Sequence, residues 1–118
     1  MREILFRGQA FGSREWVCGH YRNGRKIHII YHDENSDNCY AVRPETVGQF
    51  TGLTDKNGKK VFDGDILKAI AGNPVGEPIV AKVAVNLNDY ELMWDIEHSY
   101  EIEVIGNIHD NPELLENP

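Results

Sequence analysis

Apolar and polar positions alternate with a period of two along most of this chain, the pattern of half-buried strands rather than of helices. Glu15 to Tyr21 (EWVCGHY) and Lys26 to Tyr31 (KIHIIY) are rich in aromatic and β-branched residues. They flank Arg22-Asn23-Gly24-Arg25, where Asn-Gly accepts the positive φ angles of a type I′ turn, so the pattern predicts a β-hairpin. Ile27, Ile29 and Tyr31 fall on one strand face and His28, Ile30 and His32 on the other. Such a sheet is either half solvated or holds its second face against a partner. Asp33 ends the strand and opens the polar loop DENSDN, after which Cys39 to Val42 predicts a short strand and Pro44 breaks the pattern.

The second half is punctuated more tightly. Gln49, Phe50, Thr51 and Leu53 predict a strand. Asp55-Lys56-Asn57-Gly58 predicts a reversal, because Asp can bond the backbone two residues on and Asn-Gly tolerates left-handed conformations. Val61 and Phe62 resume the strand, and Asp63-Gly64-Asp65 turns it again before Ile66 to Ile70. Beyond the loop AGNPVGEP, Ile79 to Leu87, Tyr90 to Ile96 and Glu101 to Ile108 predict three more strands, the spacing of a small antiparallel barrel. Asn111-Pro112-Glu113 predicts a helical turn, with Asn as cap and Leu114 and Leu115 docking it.

Three segments carry a resemblance: GQFTGLTDKNGKKVFDGDIL (Gly48 to Leu67), MREILFRG (Met1 to Gly8) and IEVIGNIHDNPELL (Ile102 to Leu115). Together they resemble the YopX-like proteins of bacteriophages and prophages. The resemblance implies a mainly β fold with an SH3-type barrel in the C-terminal part and a phage or prophage origin. It implies no activity. The expected architecture is therefore an N-terminal β-hairpin unit over residues 1–43 and an SH3-like antiparallel barrel over 44–118, closed by a short C-terminal helical turn.

Composition narrows the class. With 118 residues, 41% apolar and 26% charged, the chain has enough apolar material for one core. No apolar run approaches the roughly 20 residues of a membrane helix, and MREILFRGQA places Glu3 and two arginines where a signal peptide is apolar. A soluble protein of the bacterial host cytoplasm is expected, with Cys18 and Cys39 as free thiols. The charge is uneven. Residues 1–30 carry six cationic against two anionic side chains, leaving +4, whereas the rest of the chain stands at −11 within the net −7. Contact between a basic arm and an acidic body, within one chain or between two, follows from that asymmetry.

Candidate chemistry is sparse. Asp33-x-Asn35-x-Asp37 begins like a calcium loop, but Asn38 replaces the required glycine and Pro44 the bidentate glutamate. Cys18, His20, His28, His32 and Cys39 are zinc-ligand types at spacings that match no knuckle. Asp63 and Asp65 are read as solvent-facing turn residues. With no nucleophile elbow and no phosphate loop before a helix, the expectation is no enzyme, no cofactor and no resident metal.

Binding remains. The N-terminal hairpin sets Arg14, Arg22, Arg25 and Lys26 around Trp16 and Tyr21, a basic and aromatic mixture suited to single-stranded nucleic acid, although the net charge opposes a phosphate backbone. The alternation of Asp89, Glu91, Asp95, Glu97, Glu101 and Glu103 predicts an acidic outer sheet face. The expected function is a non-enzymatic accessory module that binds a host or phage protein and self-associates through the basic hairpin and the acidic barrel; the alternative is single-strand binding through the hairpin.

Overall fold

The computed structural model describes residues 5–23, 27–31, 39–72 and 76–115, which fall into two units, Met1–Phe50 and Thr51–Pro118. Strands dominate both, as the period-two pattern requires.

In the first unit β1 (Phe6–Gln9), β2 (Trp16–Asn23), β3 (His28–Tyr31) and β4 (Cys39–Val42) form an antiparallel meander. β5 (Gly48–Thr54) begins on the free side of β1, with Phe6 opposite Gln49. The meander curls until Ala10, just past β1, bridges Val42 at the end of β4. One face is thereby enclosed around Val17, Ile30 and Val42, with Phe6, Tyr21 and Val47 packed against them. The enclosure depends on Gly8, where a Cβ would lie 3.1 Å from both the Ile30 Cδ1 and the Val42 Cβ. Pro44–Thr46 makes a 3₁₀ turn whose buried Thr46 hydroxyl accepts the Gln9 N–H at 2.9 Å and donates to the Arg43 carbonyl. A β2–β3 hairpin forms, but its register pairs Asn23 with His28 and Arg22 with Ile29. A type I′ turn centred on Asn23-Gly24 would instead pair Arg22 with Arg25; residues 24–26 lie outside the described residues. Ile30 is fully buried while Ile27 is exposed, so the His28 and Ile30 side of β3 faces the core.

In the second unit β5 ends beside β6 (Lys60–Phe62), and β7 (Asp65–Ala71) is the centre of a three-stranded antiparallel sheet between β8 (Ile79–Ala84) and β9 (Glu101–Asn107). A 3₁₀ turn at Pro112–Leu115 follows β9. The expected strand at Tyr90 to Ile96 is instead an α-helix, α1 (Tyr90–Glu97). Its start is fixed by Asp89, whose carboxylate accepts the Leu92 N–H at 3.1 Å, a helix cap that alternation arguments overlook. Leu92, Met93 and Ile96 then fall on one helical face and pack with Val61, Leu67 and Val85. Losing that segment to a helix removes a strand from the expected barrel. Among the described residues the sheet order is β8-β7-β9 with no closure between its edges, so the mainly β class holds and a closed SH3-type barrel does not.

Candidate binding surfaces

The residues that mark the sequence most distinctively serve backbone geometry. In the Asp55–Gly58 reversal, the Asp55 carboxylate is 7% exposed and accepts three main-chain N–H groups at 2.9 Å, from Asn57, Lys59 and Val104. Burial alone would raise the Asp55 pKa. The amides of Val104, Lys59 and Asn57, with the Lys59 charge, outweigh it and hold the carboxyl below its ordinary 3.8. Gly58 completes the reversal at φ +81°. Lys56 reaches Glu101 and Glu103 on β9, at 3.6 and 3.7 Å.

The next turn is built the same way. Gly64 takes φ +91°, and Asp65 accepts the Phe62 N–H at 2.7 Å while Asp63 accepts that of Leu87 at 3.1 Å. Asp65 is 1% exposed, not solvent-facing as the sequence suggested, because its carboxylate bonds back across the turn that precedes it.

In the C-terminal signature, Asn107 accepts the N–H groups of His109 and Asp110. Gly106 leaves no room for a side chain, since a Cβ there would meet Asn111 Oδ1 at 2.6 Å and Leu114 Cδ1 at 2.9 Å. Asn111 does not cap the following turn as its position suggested. Its Oδ1 accepts from the Asn107 N–H at 3.3 Å and ties the turn back to β9.

The first unit presents a sheet face outside its core. Trp16, Cys18, His20 and Arg22 alternate along the outer side of β2, with Tyr31 beside His20 at 5.7 Å between ring centroids. The Arg7 guanidinium lies 4.8 Å over the Trp16 ring. Of the basic and aromatic group, Trp16 and Arg22 therefore share a face. Tyr21 lies on the opposite side, its ring 5.3 Å from that of Phe6 and its hydroxyl bonded to His28 Nδ1. Arg14 sits exposed after the first turn with φ +60°. Arg25 and Lys26 lie outside the described residues, as do His32 and residues 33–38, the first half of the calcium-like loop. His28 points away from the face that carries Cys18 and His20, and among the described residues no three His, Cys, Asp or Glu side chains gather as metal ligands.

The second unit carries a groove that sequence reasoning missed. Along the helix-facing side of the sheet, Leu67, Val83 and Val104 form a row of large side chains, and the next positions are Ala69, Ala71 and Ala81. The small residues leave an open groove of about 390 Å³ beside α1, bordered by Ile79, Trp94, Asp95 and His98. Trp94 is 60% exposed and stacks on His98 at 3.9 Å; Ile79 is 61% exposed. The alanine spacing was visible in the sequence, but the helix that walls the groove had been read as a strand. The acidic series is likewise not a sheet face: Glu91, Asp95 and Glu97 ride on α1, Asp89 caps it, and only Glu101 and Glu103 stand on β9. Among the described residues no helix is long and apolar enough to cross a membrane.

The described residues thus form a mainly β protein whose signature residues hold turns, with a basic-aromatic sheet face and an apolar groove bordered by Asp95. Residues 13–116 match the family model described as YopX protein, so the chain belongs to the YopX family. No curated protein matches it.

Proposed function

We propose that this chain is a non-enzymatic protein-interaction module of bacteriophage or prophage origin, acting in the host bacterial cytoplasm and binding through its acidic second unit. The observation that supports this most directly is the groove beside α1, where apolar surface at Trp94 and Ile79 lies open to solvent next to the Asp95 carboxylate. The charge asymmetry adds self-association to the proposal, with the basic hairpin of one copy meeting the acidic unit of another. Light scattering across a salt series tests it: the expected mass exceeds one chain at low salt and falls as screening increases. A monomer at every salt concentration refutes self-association.

A second reading is favoured by the outer face of β2, where Trp16, His20, Arg22 and the neighbouring Tyr31 offer stacking and cationic groups to single-stranded nucleic acid. Its test is retention of single-stranded oligonucleotides at low salt, lost in the variant Trp16→Ala combined with Arg22→Glu. Absence of retention in the unaltered protein removes this reading.

A further inference from the structure

We infer that β8 and α1 together form a docking slot for a basic extended segment of a partner protein, which adds to the sheet as a strand along β8. The inference rests on the protein-interaction reading and specifies how that interaction is made.

Three observations converge on the slot. First, among the described residues β8 is an edge of its sheet, hydrogen-bonded to β7 on one side, so its outer side offers main-chain donors and acceptors for strand pairing. Second, the slot side of β8 is apolar. Ile79, Ala81 and Val83 line the groove with Ala69 and Trp94, giving an incoming strand room for an apolar side chain at alternate positions. Lys82, the residue type that commonly guards an edge, alternates onto the opposite face of β8 and leaves the slot side clear. Third, acidic side chains lie at the groove and near it. Asp95 borders the groove, Glu91 stands one helical turn before it and exposed, and Glu77 precedes β8. From Thr51 onward the chain holds 13 acidic against five basic side chains, a balance of −8. That field attracts lysine and arginine flanking the apolar anchor and opposes pairing of two identical β8 edges, which selects a basic segment over a second copy of β8.

The test is a selection of random peptides displayed on ribosomes or messenger RNA against the full-length protein, followed by affinity measurement. Expected are peptides alternating apolar and basic positions. Their affinity should fall about tenfold or more in Asp95→Lys through lost charge complementarity, and comparably in Ala81→Trp, which fills the groove. Circular dichroism confirms that each variant is folded, and Ile79→Lys serves in place of Ala81→Trp if the latter is not. Amide hydrogen exchange at Ile79–Ala84 should slow on peptide binding, the sign of new strand pairing. Enriched peptides that are acidic, or that bind both variants as tightly as the unaltered protein without protecting β8, overturn the slot while leaving the protein-interaction reading to stand. A selection that enriches nothing also overturns it, while the scattering series tests self-association separately.

Discussion

Asp55 shows how a residue can be conspicuous in sequence without being reactive. Its carboxylate takes three amides from two separate stretches of chain, Asn57 and Lys59 in its own turn and Val104 on β9. Asp55→Ala strands those donors, and the expected cost is about 3 kcal/mol, measured as a drop in urea midpoint. Because the folded pKa lies below the ordinary 3.8, the carboxylate stabilises the fold fully above that value. The contribution fades as pH falls from 3.8 through the lower folded value, so acid unfolding of Asp55→Asn should show less pH dependence in that window than the unaltered protein. Gly8 and Gly106 are the steric counterparts. Gly8→Ala presses a methyl group against Ile30 and Val42 and should destabilise by about 1–3 kcal/mol in the same assay. Gly106→Ala must displace Asn111 and Leu114, so chymotrypsin should cut after Leu114 and Leu115 in the C-terminal turn faster.

At the scale of elements, what could be foreseen was what local chemistry decides. The Asx bond from Asp55 to the Asn57 N–H, the left-handed Gly58 and the bend at Gly64 all follow from turn residues at fixed offsets. The strands β2, β3, β7 and β9 follow from period-two alternation. The helix α1 escaped because YELMWDIE combines aromatic residues with alternating acids, and its deciding signal is a single cap, Asp89 before Leu92, Met93 and Ile96. Asp89→Ala should cost about 1 kcal/mol and lower helical ellipticity near 222 nm. With α1 misread, the groove it walls was invisible, and so was the fate of the acidic residues that became helix surface. The outer face of β2 was half legible: spacing puts Trp16 and Arg22 together, but Tyr21, one residue out of phase, goes to the core.

For the whole molecule, signature and exterior divide the work. The three segments that carry the resemblance hold reversals and close approaches of backbone: Gly8 against Ile30, Asp55 across to β9, Gly64 and Asp65 in their turn, and Gly106 under Asn111. The groove residues Ala81, Trp94 and Asp95 lie outside those segments. Under the proposed reading these segments serve the fold, and a partner is met elsewhere on the surface. The most direct check is urea unfolding of full-length Asp55→Ala beside Asp95→Lys, two single changes at carboxylates. A midpoint well below the unaltered protein for Asp55→Ala and an unshifted one for Asp95→Lys is the predicted result. An unshifted midpoint for Asp55→Ala, or a collapse in Asp95→Lys, would contradict the division of framework from binding surface.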